Sequence, residues 1–134
     1  MKTVFADTFY FFALFNGRDT AHEKAKSFAK SFTGRLLTTG WVLTEVGDRW
    51  SKPAHWREEF APLMRDLKAS PHVTILPFAD ELFDEGLELF EKRPDKEWSL
   101  TDCISFVVMD REKLTEALTG DHHFEQAGFV ALLK

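Results

Sequence analysis

Short apolar runs of strand length alternate along this chain with longer stretches in which apolar residues recur every three or four positions. Lys2 to Ala6 is a brief β-leaning run that ends at Asp7. Phe9 to Phe15 is almost wholly apolar and stops at the turn signal Asn16-Gly17, so a short buried helix is expected there. Asp19 or Thr20 can cap a second helix reaching about Phe32, with Ala21, Ala25, Phe28, Ala29 and Phe32 forming its stripe and lysines opposite. Leu36 to Thr39 reads as a strand broken by Gly40, and Trp41 to Val46 begins another helix. After Pro53 an amphipathic helix is expected from Trp56 to Lys68, then a strand from Val73 to Pro77 and a helix from Ala79 to Lys92 that Pro94 ends.

The last third differs in kind. From Leu100 to Met109 apolar residues surround most of a helix circumference, which predicts a buried helix. Ser99 followed by Asp102 is a capping-box-like start. A short strand, Thr115 to Leu118, leads into Thr119-Gly120-Asp121, and Gly128 to Leu133 reads as a final strand. This alternation predicts one layered α/β domain over residues 1–134, with five strands in a mainly parallel sheet. No repeat or linker interrupts it.

Composition adds that core material is ample: 44% of residues are hydrophobic, with fourteen Phe and four Trp. The aromatic run Phe9-Tyr10-Phe11-Phe12 with Phe15 is too rich for one face of a short helix, so part of it is expected as a dimer surface or a peptide groove. The lone Cys103 excludes an intramolecular disulfide and is expected as a buried, reduced thiol, which makes the cytoplasm the default compartment. The longest apolar run, Phe9 to Phe15, is too short for a membrane span, and no signal peptide is expected.

Charge first argues against nucleic acid, since a net −5 opposes phosphate binding. The objection weakens if several acids gather in one pocket around a cation, leaving Lys24, Lys26, Lys30 and Arg35, or Lys52, His55 and Arg57, to meet phosphates.

Four carboxylates are candidates for such a pocket: Asp7, Glu45, Asp102 and Asp121. Each has a plainer reading. Asp7 can cap the Phe9 helix, Glu45 can pair with Arg49 one turn on, Asp102 can serve only its capping box, and Asp121 can be a turn residue. Together they carry more, because the ends of parallel strands one, two and four share an edge, and the late helix can present its first turn there. Acids so gathered raise one another's pKa unless a cation neutralises them. Oxygen-only ligands favour Mg²⁺ or Mn²⁺ over Zn²⁺, and such ions suit phosphodiester hydrolysis.

The residues that carry a resemblance are Asp7-Thr8, the run Asn16 to His22, Thr38-Thr39-Gly40-Trp41-Val42-Leu43-Thr44-Glu45, Asp95-Lys96-Glu97-Trp98-Ser99-Leu100-Thr101-Asp102, and Leu118-Thr119-Gly120-Asp121-His122-His123-Phe124. In order and spacing the chain resembles a PIN domain of the VapC type. The resemblance implies a doubly wound sheet of order 3-2-1-4-5 and a metal-dependent endoribonuclease acting on single-stranded or structured RNA. It further implies homodimers and, in toxin systems, a cognate antitoxin. It makes Asp7, Glu45, Asp102 and Asp121 the metal-site acids, with Glu45 helping to orient the attacking water, and gives supporting hydroxyls to Thr119 and Thr8. Phe9 departs from the pattern, in which a small hydroxyl residue is frequent.

His122-His123 invites a ligand-pair reading, but adjacent histidines in a turn are expected to point apart, with Phe124 packing the loop and Glu125 and Gln126 bonding locally. Asp95 is a secondary acid candidate. A receiver-like or covalent-aspartate phosphotransfer domain fits poorly: strand three ends in Pro77 rather than Asp, position nine is Phe, and the only lysine of the final segment is Lys134. A catalytically silent binding module of the same fold is the remaining alternative.

Overall fold

The computed structural model describes residues 1–134. Five parallel strands, β1 (Thr3–Ala6), β2 (Arg35–Thr39), β3 (Val73–Leu76), β4 (Glu116–Leu118) and β5 (Val130–Ala131), form one sheet of order β3-β2-β1-β4-β5. This matches the expected order, and every strand pairing is parallel. Seven helices flank the sheet: α1 (Thr8–Phe15), α2 (His22–Ser31), α3 (Gly40–Arg49), α4 (Ala54–Ala69), α5 (Asp80–Lys92), α6 (Leu100–Arg111) and α7 (His122–Gln126).

β1 sits at the centre because Val4, Phe5 and Ala6 can be buried on both faces, and all three are. It is also the switch point of the winding: the chain passes to β2 on one side and β4 begins the other half, which opens a crevice beyond their carboxyl ends. Thr38 strengthens this edge, its hydroxyl donating to the Ala6 carbonyl at 2.8 Å. Thr39 caps α3 by accepting from the Val42 N–H at 3.2 Å.

The all-apolar helix predicted near Leu100 is α6, and Cys103, Ile104, Phe106, Val108 and Met109 are buried on it. Phe106 packs edge-on to Trp98 and Phe124, with ring centroids 5.0 and 4.9 Å away. Burial pushes the Cys103 thiol up to about 11, so it is an inert core group. α5 crosses α6 at Gly86, where an added Cβ would lie 3.1 Å from the Ile104 Cα and closer still to its side chain. Arg111 ties the same helices together by pairing with Glu81 at 2.6 Å and with Glu85.

Three expectations are corrected. β5 is two residues rather than the run from Gly128 to Leu133, because the Gly128 turn and the return toward Thr119 leave room for one ladder step only. The turn expected after Asp121 is the one-turn helix α7. On α1 the aromatic surplus is divided: Tyr10 and Phe11 are buried and Phe12 packs on the core, while Phe15 at the helix end is exposed; more of it lies on Phe78 and on α5, where Phe83, Leu87 and Phe90 face solvent. No helix is long and apolar enough to cross a membrane.

Gly86→Ala is expected to destabilise the fold by about 1–3 kcal/mol, since neither helix backbone can yield without losing core contacts. The denaturant midpoint measures it, and an unchanged midpoint would mean that the α5–α6 crossing is looser than described.

Candidate active site

The site starts from Asp7, which β1 delivers directly into the crevice. The residue is 4% exposed. It stands at the N-cap position of α1, yet its side chain makes no capping hydrogen bond. The carboxylate turns instead toward the end of β4, where the Thr119 hydroxyl donates to Oδ2 at 2.9 Å. The Thr8 hydroxyl lies 3.4 Å from Oδ1. Thr119 Oγ1 in turn accepts from the Asp121 N–H at 3.1 Å, so one buried hydroxyl links two neighbouring strand ends.

Asp102 is placed by the first turn of α6. Its N–H donates to Ser99 Oγ at 3.0 Å and its Oδ2 accepts from the Ser99 N–H at 3.2 Å, a complete capping box. The same Oδ2 lies 3.2 Å from His123 Nδ1. Asp121 caps α7, its Oδ1 accepting from the His123 N–H at 2.9 Å. Capping and site placement are thus one arrangement, because the cap bonds fix where each carboxylate points.

Glu45 enters from α3. All four carboxylates, from four separate segments, line a single cleft of about 240 Å³ together with Thr8, Phe9, Arg49, Glu97 and His123. A larger cleft of about 770 Å³ between α3, α4 and β3 is floored by Leu43, Trp50, Phe60 and Met64 and gathers no such cluster. Volume and chemistry point to different places, and the charge cluster decides which is the candidate site.

The model of the PIN domain matches residues 4–130. The chain belongs to the PIN domain family. It is 28% identical over 127 residues, covering 95% of both chains, to proteins of two Mycobacterium tuberculosis strains named 23S rRNA-specific endonuclease VapC20. Among solved structures it resembles Mycobacterium tuberculosis VapC20, described as a Sarcin-Ricin loop cleaving toxin, with a TM-score of 0.80, 27% identity and coverage of 95% and 96% of the two chains. FitAcB from Neisseria gonorrhoeae shares the fold, with a TM-score of 0.68 at 17% identity and coverage of 96% and 94%.

In this PIN domain the acids strain one another. Burial pushes the Asp7 carboxyl up from 3.8 to about 7, and the charge of Asp102 adds to the shift. The Thr119 hydroxyl and the Thr8 N–H oppose it. Asp102 is raised as well, mainly by burial and also by Asp121, against the Ser99 N–H and His123. No lysine or arginine pairs with Asp7, Asp102 or Asp121. A hard divalent cation fits the donor set, because it would compensate carboxylates that the protein leaves without a positive partner.

Several details of this PIN domain differ from the sequence expectations. Glu45 does not pair with Arg49, whose guanidinium lies over the Phe12 ring, 5.0 Å from its centroid. The two histidines do not point apart: their ring centroids are 4.5 Å from each other, and ligand atoms of Asp121, His122 and His123 lie within 4.8 Å of one another. Gln126 and Glu125 bond far along the chain, to Trp98 Nε1 at 3.0 Å and to Lys134 Nζ at 2.5 Å. Asp95 is outside the cleft, held by Arg93 at 2.9 Å, and the unforeseen acid in the lining is Glu97. His123, set aside in sequence as half of an unfavourable ligand pair, lines the cleft and meets Asp102. Its signal was its place two residues after Asp121, where a helical turn returns the ring to the cap.

Asp7 makes metal-free stability depend on pH. Unfolded, its carboxyl ionises near 3.8; folded and metal-free, it holds a proton to about 7. Across that window the folded state binds more protons, so the contribution of Asp7 falls as pH rises from about 4 to about 7 and is level above. Asp7→Asn is therefore expected to melt higher than wild type at pH 8 in chelator, and to lose most of that difference at pH 4. A thermal melt across pH checks it. Equal melting at pH 8 would mean that Asp7 is not desolvated as described.

Proposed function

We propose that this chain is a metal-dependent endoribonuclease, the toxin of a toxin–antitoxin pair acting in the cytoplasm. The observation that carries the reading is the meeting of Asp7, Glu45, Asp102 and Asp121 in one small cleft around a buried, uncompensated carboxylate. Asp7, Asp102 and Asp121 would hold the cation, with Glu45 completing the pocket. When bound, the ion supplies Lewis acidity toward a phosphodiester and lowers the pKa of a water.

The chain's own residues then prepare the geometry. Thr119 and Thr8 hold the Asp7 carboxylate in one orientation, and the Ser99 cap and His123 do the same for Asp102. Glu45, on a separate helix, accepts a hydrogen bond from the attacking water and turns its lone pair toward phosphorus. The His123 imidazole, beside Asp121 in the cleft, adds one nitrogen donor to an otherwise all-oxygen set.

The relatives named as acting on 23S rRNA, one of them described as cleaving the Sarcin-Ricin loop, make a structured ribosomal RNA loop the first substrate to try. Partners follow from surface rather than site. Phe83, Leu87 and Phe90 lie on one face of α5 and are exposed, as is Phe78 at 62%. This face supports a homodimer, and a cognate antitoxin would be a second protein partner.

With Mn²⁺, purified protein is expected to cut a ribosomal RNA loop or a mixed-sequence single-stranded RNA, and to lose at least about 100-fold in rate on addition of EDTA or in an Asp7→Asn, Asp121→Asn double variant. Cutting that survives both controls would place the chemistry elsewhere. A folded protein that binds metal and RNA without cutting would instead be the silent module. Replacing Phe83 and Phe90 by Glu is expected to shift the protein to monomer in light scattering. A wild type that is already monomeric would remove the dimer.

A further inference from the structure

Arg49 is the one permanently charged cation lining the acid cleft. It lies one helical turn beyond Glu45, where an ion pair would ordinarily form, yet none is present. Its guanidinium rests 5.0 Å from the centroid of the Phe12 ring, which also lines the cleft. Phe12 in turn packs on Trp50, 6.3 Å between ring centroids, and Trp50 stacks on Trp56 at 5.2 Å. The guanidinium is thus supported on an aromatic seam while its N–H groups stay exposed and unpaired.

We propose that Arg49 is the phosphate-binding residue of this site, contacting the non-bridging oxygens of the RNA phosphate that is cut. This rests on the endoribonuclease reading above and adds a residue to it. A cleft with five carboxylates among its lining residues, Glu97 included, repels a phosphodiester from every acidic side. A guanidinium offers parallel N–H donors that match two phosphate oxygens, and a face that stacks on a ring without using them. Phe12 restricts the arginine to orientations in which those donors are available at the cleft. Pairing with Glu45 would have consumed them.

A plainer role exists, since a guanidinium over a ring also joins α1 to α3. The two roles separate experimentally. Arg49→Gln keeps a polar side chain of moderate length and removes the charge and the fork; Arg49→Lys keeps the charge and the ring contact and removes the fork.

The test has two arms. In the first, Mn²⁺-dependent cleavage of the best RNA substrate is followed for wild type, Arg49→Gln, Arg49→Lys and Asp7→Asn, beside their melting temperatures. Arg49→Gln is expected to lower kcat/KM about 100-fold or more with melting nearly unchanged, and Arg49→Lys to recover about tenfold of that loss. In the second, the uncleaving Asp7→Asn, Asp121→Asn protein is titrated with a labelled single-stranded RNA across salt concentrations. Adding Arg49→Gln is expected to weaken binding and reduce the salt slope by about one. If Arg49→Gln cuts and binds within twofold of its parent while Asp7→Asn is inactive, the proposal is overturned and the endoribonuclease reading stands. If Arg49→Gln loses activity only in proportion to lost melting temperature, the residue is structural and the proposal is likewise overturned. If wild type neither cuts nor binds RNA, the reading falls and the proposal falls with it.

Discussion

A carboxylate buried at the end of the central strand is the constraint around which this molecule is arranged. Asp7 follows Ala6 without a spacer, and Ala6 is held by its pairing with Leu118 of β4 and by the Thr38 hydroxyl of β2, which donates to its carbonyl. The side chain cannot reach solvent by adjusting a loop, because there is none. Its cost is lowered by one good hydrogen bond, from Thr119, and by the Thr8 N–H, and these leave the carboxyl titrating near neutrality. A fold selected for stability alone would carry an asparagine or an apolar residue at this position. Retaining the acid makes sense where a cation shares the cleft and converts the repulsion into binding energy.

The neighbouring elements answer to the same constraint. Thr119 serves Asp7 with its proton and Asp121 with its oxygen lone pair, so the spacing between two acids is set by a single hydroxyl. α6 is apolar almost all round and therefore buried, which makes its first turn a rigid mount for Asp102. That rigidity depends on Gly86 letting α5 close onto Ile104, an apolar contact two residues past Asp102 on the same helix. Precision in the cleft is thus inherited from packing in the core, and residues with no chemistry of their own determine it.

Much of this was legible in the chain. Strand runs ending at Asp7, Thr39 and Leu118 gave the sheet edge, because parallel strands bring their carboxyl ends together whatever the loops do. The capping pair Ser99 and Asp102 was readable from three-residue spacing. What escaped was set by tertiary contact. Local rules paired Glu45 with Arg49, but the Phe12 ring, contributed by another helix, competes for the guanidinium and wins it. Local rules also sent His122 and His123 in opposite directions; Asp121 nucleates a helical turn whose curvature gathers both rings on one side. The exposure of Phe83, Leu87 and Phe90 on α5 was not legible either, since an apolar helix face has the same sequence pattern whether or not its own chain covers it.

The overall charge of −5 first counted against RNA, and the structure explains why the total misleads. Negative charge is gathered in the cleft, where a cation can cancel it, and some acids elsewhere pair with Arg111, Arg93 and Lys92. At the cleft the balance differs, since a bound divalent ion and Arg49 would together supply three positive charges against the five carboxylates Asp7, Glu45, Glu97, Asp102 and Asp121. A phosphodiester meets the local sum at a distance of a few ångströms, and charges beyond a Debye length of about 8 Å are largely screened from it at physiological salt. An acidic protein can therefore act on a polyanion, provided its cations lie within that radius of the bond to be cut.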